Sequence, residues 1–226
     1  MRGRRKKHLE ERLAAVSPIL YISDSDDRDF RNAAKNRYEI DIGAWFKAER
    51  PLYLEIGCGK GRFAVEFAKR NPHINLLAVE KTANVIVSAC EAAQAEALPN
   101  LRFLKCGAEY LERHLNPGTV ERIFLNFSCP FPKNSYANHR LTHSNFLEIY
   151  KRLMKPNAEI HQKTDNMRFF EFSLEQFSQN GFAFKNISLD LHNSDSEASR
   201  ENIITEYEQR FVDLGQPIYR LEAFIR

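Results

Sequence analysis

A chain of 226 residues, 43% hydrophobic and 28% charged, is long enough to bury a full core and too polar for a membrane class. No apolar stretch approaches the roughly 18 residues that a spanning helix needs, and the start MRGRRKKHLEER, basic with nothing apolar behind it, is not expected to be a secretory signal. The formal net charge is only +3, but it is unevenly spread.

Residues 1–12 form a basic arm in which Arg2, Arg4, Arg5, Lys6 and Lys7 precede the first acid, and residues 13–226 are expected to form a single domain. From Lys133 to His143 (KNSYANHRLTH) the chain again has no acid. Such stretches can neutralise phosphates or simply be solvated. Four cysteines, Cys58, Cys90, Cys106 and Cys129, lie far apart with no C-x-x-C pair. That spacing suits reduced thiols in a cytoplasmic protein rather than a disulfide frame or a zinc site.

Residues 13–50 carry little pattern, with a possible helix over Asp29–Phe46. From Pro51 onward, strand-length apolar runs alternate with helical segments. Strands are expected at Tyr53–Ile56, Ile74–Val79, Leu101–Cys106, Val120–Asn126, Ala158–Lys163, Phe182–Leu191 and Ile218–Ile225. Helices are expected at Arg62–Arg70, Ala83–Ala97, Ser144–Lys155, Met167–Asn180 (stopped by Gly181) and from Thr205. This alternation predicts an α/β fold whose parallel sheet is covered on both faces. Ligands on such sheets sit beyond the carboxyl ends of the strands.

The strongest local signal is Glu55-Ile-Gly-Cys-Gly-Lys-Gly61. Glycines at a strand-to-helix turn let backbone approach a ligand where a Cβ would clash. A dinucleotide site wants G-x-G-x-x-G, with pyrophosphate on the helix N-terminus. Here the third glycine comes one residue early, and Glu55 would set a carboxylate near that phosphate. S-adenosylmethionine has no phosphate and carries cationic groups, so it fits better. Glu80, 25 positions after Glu55, ends the next strand, where an acid can bind a ribose hydroxyl pair.

Four further features carry chemistry. Cys129, in LNFSCPFPK, is followed by Pro130 and Pro132, which stop helix and strand alike, and could be a nucleophile, a ligand or neither. His139 and His143 are four apart but straddle a helix start with no third ligand near, so no metal is expected. Asp165 could cap the following helix or accept hydrogen bonds from the amino edge of guanine. Thr205-Glu-Tyr-Glu208 has the capping-box pattern, which accounts for Thr205 and Glu208 but not for Glu206 and Tyr207.

In order along the chain, the blocks LEIGCGKG, NPHINLLAVE, LNFSCPFPK, HRLTHSNFL, HQKTDN, LDLHNS, TEYEQRF and GQPIYRLE resemble the bacterial tRNA (guanine-N7-)-methyltransferases. The resemblance implies a class I methyltransferase, Rossmann-like fold: a seven-stranded, mostly parallel sheet with its last strand reversed and helices on both faces. It implies methyl transfer from S-adenosylmethionine to N7 of the variable-loop guanine, position 46 in standard tRNA numbering. Glu55, Gly57, Gly59, Glu80, Gly107 and Cys129 would then bind the cofactor. Lys133, Ser135, Tyr136, Asn138, His139, Arg140, Asp165, Thr205, Glu206, Tyr207 and Glu208 would face tRNA. Cys129 and Asp165 would stand at the chemistry, in a cytoplasmic monomer or homodimer with no membrane partner.

Two positions depart from the family pattern. Cys129 stands where the family usually has an aspartate, in an Asp-Pro-Trp-Pro-Lys loop, and Gly107 stands where the third cofactor turn usually has one. Guanine N7 offers a lone pair and no proton, so attack needs neither a base nor a covalent thiolate. The alternatives are a non-catalytic tRNA-binding paralogue and a methyltransferase for another RNA or a small molecule.

Overall fold

The alternating pattern becomes alternating elements in the computed structural model, which describes residues 6–23, 35, 37–194 and 196–225. They fall into two compact units, residues 1–116 and 117–226. In the first, α1 (Leu9–Ala15) and β1 (Leu20–Ile22) precede α2 (Ile42–Phe46). Three β-α steps follow: β2 (Leu52–Ile56), α3 (Arg62–Arg70), β3 (Asn75–Val79), α4 (Ala83–Ala95), β4 (Leu101–Lys105) and α5 (Leu111–His114). These strands run parallel in the order β1-β4-β3-β2. All five residues of β3 are buried, as expected for a strand covered on both faces.

The second unit holds β5 (Val120–Asn126), α6 (Ser144–Leu153), β6 (Met154–Thr164) and α7 (Met167–Gln179). It continues with β7 (Phe182–Ser188), α8 (Glu197–Arg200), α9 (Glu206–Asp213) and β8 (Tyr219–Ile225). Its strand order is β5-β6-β8-β7. β5 and β6 are parallel, whereas β8 is antiparallel to both β6 and β7, so the last strand is the reversed one. A buried polar chain ties this unit's layers together. Ser173 Oγ of α7 donates to Phe169 O, accepts from Gln162 Nε2 of β6, and lies 2.9 Å from Thr142 Oγ1.

Eight strands stand where seven were expected among the described residues. The addition, β1, is three residues long and pairs with the edge of β4, too short for a visible alternation. Within Asp29–Phe46, only Ile42–Phe46 is helical among the described residues, capped by Asp41 accepting from Ala44 N; residues 29–34 and 36 lie outside them. α6 stops at Leu153 and the chain turns extended, because Pro156 disfavours helical backbone just before it. Gly181 is left-handed (φ 80°) after α7, as expected. β7 ends three residues early, past a register shift at a left-handed Asn186.

Candidate active site

In the first unit, three successive strand ends carry the expected cofactor residues. Gly57 N and Cys58 N both donate to Val79 O (2.8 and 3.0 Å), folding the glycine turn back over the end of β3. Gly57 and Gly59 are left-handed (φ 84° and 57°), and a Cβ built on either meets nothing within 4 Å. The turn is thus an open cradle that side chains would fill, which fits a ligand approached by backbone.

Gly61 serves a different end. Its Cβ would lie 2.6 Å from the Ala89 Cβ, so it lets α3 and α4 pack closely. Glu55 is buried (2% exposed) and Glu80 half-buried. Burial pushes the Cys58 thiol well up, and the charges of Glu55 and Glu80 push it further. That buried thiol is a packing group rather than a nucleophile. Glu80 Oε1 accepts from Thr82 N at 2.9 Å, and Glu80 N donates to Leu104 O at 3.2 Å, beside the Gly107 turn.

The basic arm has its root in this unit. Arg12 donates twice to the Glu91 carboxylate of α4, at 2.7 and 2.6 Å. Lys6 bonds Asn84 through its backbone N–H and Ser88 through its ammonium. Burial holds the Lys6 ammonium below its ordinary value, with Arg12 and Lys60 adding to the effect. Residues 1–5 lie outside the described ones.

In the second unit, the loop after β5 is held by strain and by one arginine. Phe127 and Phe131, on either side of Cys129, both have positive φ (52° and 41°), a conformation bulky residues adopt only when surroundings impose it. At Phe131, Arg140 supplies that constraint. It is 8% exposed, donates to Pro130 O and Phe131 O at 2.9 Å each, and stacks 4.3 Å from the Phe172 ring centroid. The residue expected to face tRNA therefore turns inward and splints the loop. Cys129 itself is exposed.

Lys133, Ser135, Tyr136, Asn138 and His139 are all exposed on or beside the short 3-10 turn Asn134–His139. Tyr136 and Phe131 each lie against the His139 ring, at 5.9 and 5.7 Å. His143 is separated from this surface by its role at the start of α6, where its Nδ1 accepts from Asn145 N. Burial holds it below the usual imidazole value, with Arg140 adding to the effect. It is a capping group.

Asp165 does not cap α7. Asn166 does, accepting from Phe169 N at 2.9 Å, because it stands one residue closer to the first helical turn. Asp165 is half-buried and its pKa is raised by that burial. Tyr207 is exposed, its ring 5.4 Å from Phe127 and 5.1 Å from Phe211. Burial of its hydroxyl raises its pKa, and the charges of Asp165 and Cys129 raise it further. The charges of Asp165 and Cys129 are thus both felt at the Tyr207 hydroxyl.

The capping box at α9 is present: Glu208 N donates to Thr205 Oγ1 and Thr205 N to Glu208 Oε2. Glu206 is exposed, but Glu208 is fully buried and makes further bonds. It accepts from Lys163 Nζ (2.7 Å) and Asn202 Nδ2 (2.7 Å), and lies 3.0 Å from His192 Nε2. Lys163 also donates to Asn202 Oδ1 and Ile203 O, while its own carbonyl accepts from Phe127 N. Sequence reasoning missed this node. The signal was present in the second half of β6, where Glu159, His161 and Lys163 alternate with the buried Ala158, Ile160, Gln162 and Thr164.

The same face of the sheet, across β6 and β8, carries Glu159, His161 and Glu222, whose ligand atoms lie within 4.8 Å of one another, the one group among the described residues with the spacing to hold a metal ion. Arg122 and Lys185 already pair with Glu159, and Arg220 with Glu222. Three cations against two carboxylates leave a divalent ion no net attraction.

A family model described as "Putative methyltransferase" matches residues 49–221. The chain is 42% identical over 223 residues to the tRNA (guanine-N(7)-)-methyltransferase of Geobacillus sp. (strain WCH70), covering 99% of this chain and 95% of that protein. It is 40% identical to the protein of the same name from Clostridioides difficile (strain 630), covering 99% and 98%. Among solved structures it is similar to the antibiotic-resistance methyltransferase Kmr (TM-score 0.55, 17% identity, 82% of this chain and 91% of that one). It is also similar to the 16S rRNA methyltransferase KamB (TM-score 0.57, 16% identity, 91% and 94%). These neighbours share its mostly parallel α/β methyltransferase fold, and the chain belongs to the tRNA (guanine-N7-)-methyltransferase family.

Proposed function

We propose that this chain transfers a methyl group from S-adenosylmethionine to N7 of the variable-loop guanine of tRNA by direct displacement. The observation that carries the cofactor half is the open glycine turn, left-handed at Gly57 and Gly59 with empty space where side chains would project, beside Glu55 and Glu80. The tRNA half is supported by the substrate in the names of relatives that match nearly end to end.

When bound, S-adenosylmethionine supplies an electrophilic methyl group on a sulfonium. The glycine turn would hold its amino-acid end by backbone, and Glu80 its ribose hydroxyls. N7 of guanine carries a lone pair and no proton, so no side chain has to act as a base. What remains is alignment, which can lower a barrier by roughly 7–11 kcal/mol. Arg140 contributes by splinting the Cys129 loop, and the Lys163–Glu208 node by fixing the start of the helix that carries Tyr207.

The Asp165 carboxylate is an acceptor suited to the N1–H and amino edge of guanine, and its charge favours the cation that develops on the methylated ring. Lys133, Ser135, Tyr136, Asn138 and His139 offer an acid-free exposed surface for phosphate and base contacts. Incubation with unmodified tRNA and methyl-labelled S-adenosylmethionine tests the proposal. Label is expected in the tRNA, and a protein that binds both partners yet leaves the tRNA unlabelled would overturn it.

A further inference from the structure

Gly107 brings no side chain to the carboxyl end of β4, yet the space is taken. A Cβ built there would lie 2.5 Å from Glu109 Oε2, 2.6 Å from its Cδ and 2.8 Å from Oε1. The Gly107 backbone is extended (φ −76°, ψ 151°), which any residue adopts, so conformation does not require a glycine here. Glu109 lies in the short 3-10 turn Ala108–Tyr110, and its carboxylate folds back over Gly107. It is half-buried, and among the described residues it forms no hydrogen bond or ion pair. Burial pushes the Cys106 thiol up and the Glu109 charge adds to this, which sets the carboxylate at the strand end.

Three turns follow one another along the carboxyl edge of the first unit's sheet. The glycine turn bonds to Val79 O at the end of β3, and Glu80 bonds to Leu104 O at the end of β4. With strands about 4.8 Å apart, the edge from β2 to β4 spans about 10 Å. A ligand built as amino acid, ribose and adenine covers that span in order. The glycine turn meets the amino acid, Glu80 the ribose, and the Glu109 carboxylate falls at the adenine.

We infer that Glu109 accepts a hydrogen bond from the exocyclic amino group of the cofactor's adenine, supplying from position 109 the acceptor that Gly107 lacks. This rests on the cofactor reading above. An ionised carboxylate only accepts, so it favours a 6-amino purine and opposes a 6-oxo purine. Glu109 is therefore a specificity-determining residue for the cofactor.

The test is calorimetric binding of S-adenosylhomocysteine and of its 6-oxo analogue, S-inosylhomocysteine, with no turnover required. The wild-type protein should prefer the adenine compound by about 10- to 100-fold, the range of one charge-assisted hydrogen bond. Glu109→Gln, whose amide can also donate, should bring that preference near unity. Glu109→Ala should weaken S-adenosylhomocysteine by a similar factor with its thermal midpoint unchanged. Gly107→Asp alone would force two carboxylates into one space and weaken binding, whereas Gly107→Asp with Glu109→Ala should recover it to within about threefold. Failure of the wild-type protein to bind S-adenosylhomocysteine would overturn the cofactor reading. Normal wild-type binding with an unchanged preference in Glu109→Gln would overturn the role of Glu109 alone.

Discussion

Lys163 Nζ lies 2.7 Å from Glu208 Oε2, and the two side chains are only 7% and 0% exposed. The pair joins the end of β6 to the first turn of α9, and Phe127 N hangs from the carbonyl of Lys163. Lys163 therefore holds the helix that carries Tyr207 through its ammonium and the proline loop through its backbone carbonyl.

Removing one member leaves the other charge buried alone. Lys163→Met should cost about 3–5 kcal/mol in urea unfolding. Lys163→Met with Glu208→Leu should recover much of that, since an apolar pair replaces a desolvated one. The double variant should still show a raised KM for tRNA, because Asn202, His192 and Thr205 N all lose the Glu208 carboxylate as acceptor. A double variant with wild-type stability and wild-type KM would show that the node is only structural.

Arg140 is buried and splints the Cys129 loop. Arg140→Ala should lower kcat for tRNA methylation by about 10- to 100-fold, with S-adenosylhomocysteine affinity unchanged, on the scale of charge-assisted hydrogen bonds to two carbonyls. Arg140→Lys should not rescue it, because an ammonium cannot reproduce the planar fork over Phe172. A variant that shifts only the salt dependence of tRNA binding would make Arg140 a phosphate contact instead.

Cys129 is exposed, and displacement at N7 asks nothing of a thiol. Cys129→Ala should keep turnover within about tenfold, as expected for a group outside the bond-making step, and Cys129→Asp should be at least as active as wild type. RNA containing 5-fluoropyrimidines should form no covalent adduct. An adduct, or a Cys129→Asp protein that binds tRNA normally but has no turnover, would revive a covalent role.

Much of this arrangement was legible in the sequence because it rests on local rules. The glycine turn, the Thr205–Glu208 box and the stop at Gly181 each need only neighbouring residues. What stayed hidden depends on tertiary partners. Glu208 read as a capping residue and a candidate for RNA, but Lys163 lies 45 positions upstream and no spacing rule joins them. Arg140 read as part of a basic surface, since nothing local says that its guanidinium meets Pro130 O and stacks on Phe172. Asp165 and Asn166 both suit a cap, and one residue of register decided between them.

Glu159 gives the second unit a pH signature. The hydrogen bond from His161 Nε2, at 2.8 Å, holds its carboxyl down at about 2 against the cost of burial, with Lys185 and Arg122 assisting. Burial keeps His161 itself below the usual imidazole value, so the ring is a neutral donor. A carboxyl depressed below its unfolded value of about 4.3 contributes stability that is whole above that pH and lost as pH falls toward 2. Glu159→Gln should therefore flatten the fall of the thermal midpoint between about pH 5 and 2. A fall as steep as that of the wild type would remove Glu159 from the acid response.

Site-resolved mapping of the methyl group tests the central claim most directly. Unmodified tRNA treated with the protein and S-adenosylmethionine, then reduced with borohydride and cleaved with aniline, should break at the variable-loop guanine and nowhere else. Methyl transfer without scission at that guanine would contradict the account, because the methyl group would then have gone to another atom or to another nucleotide.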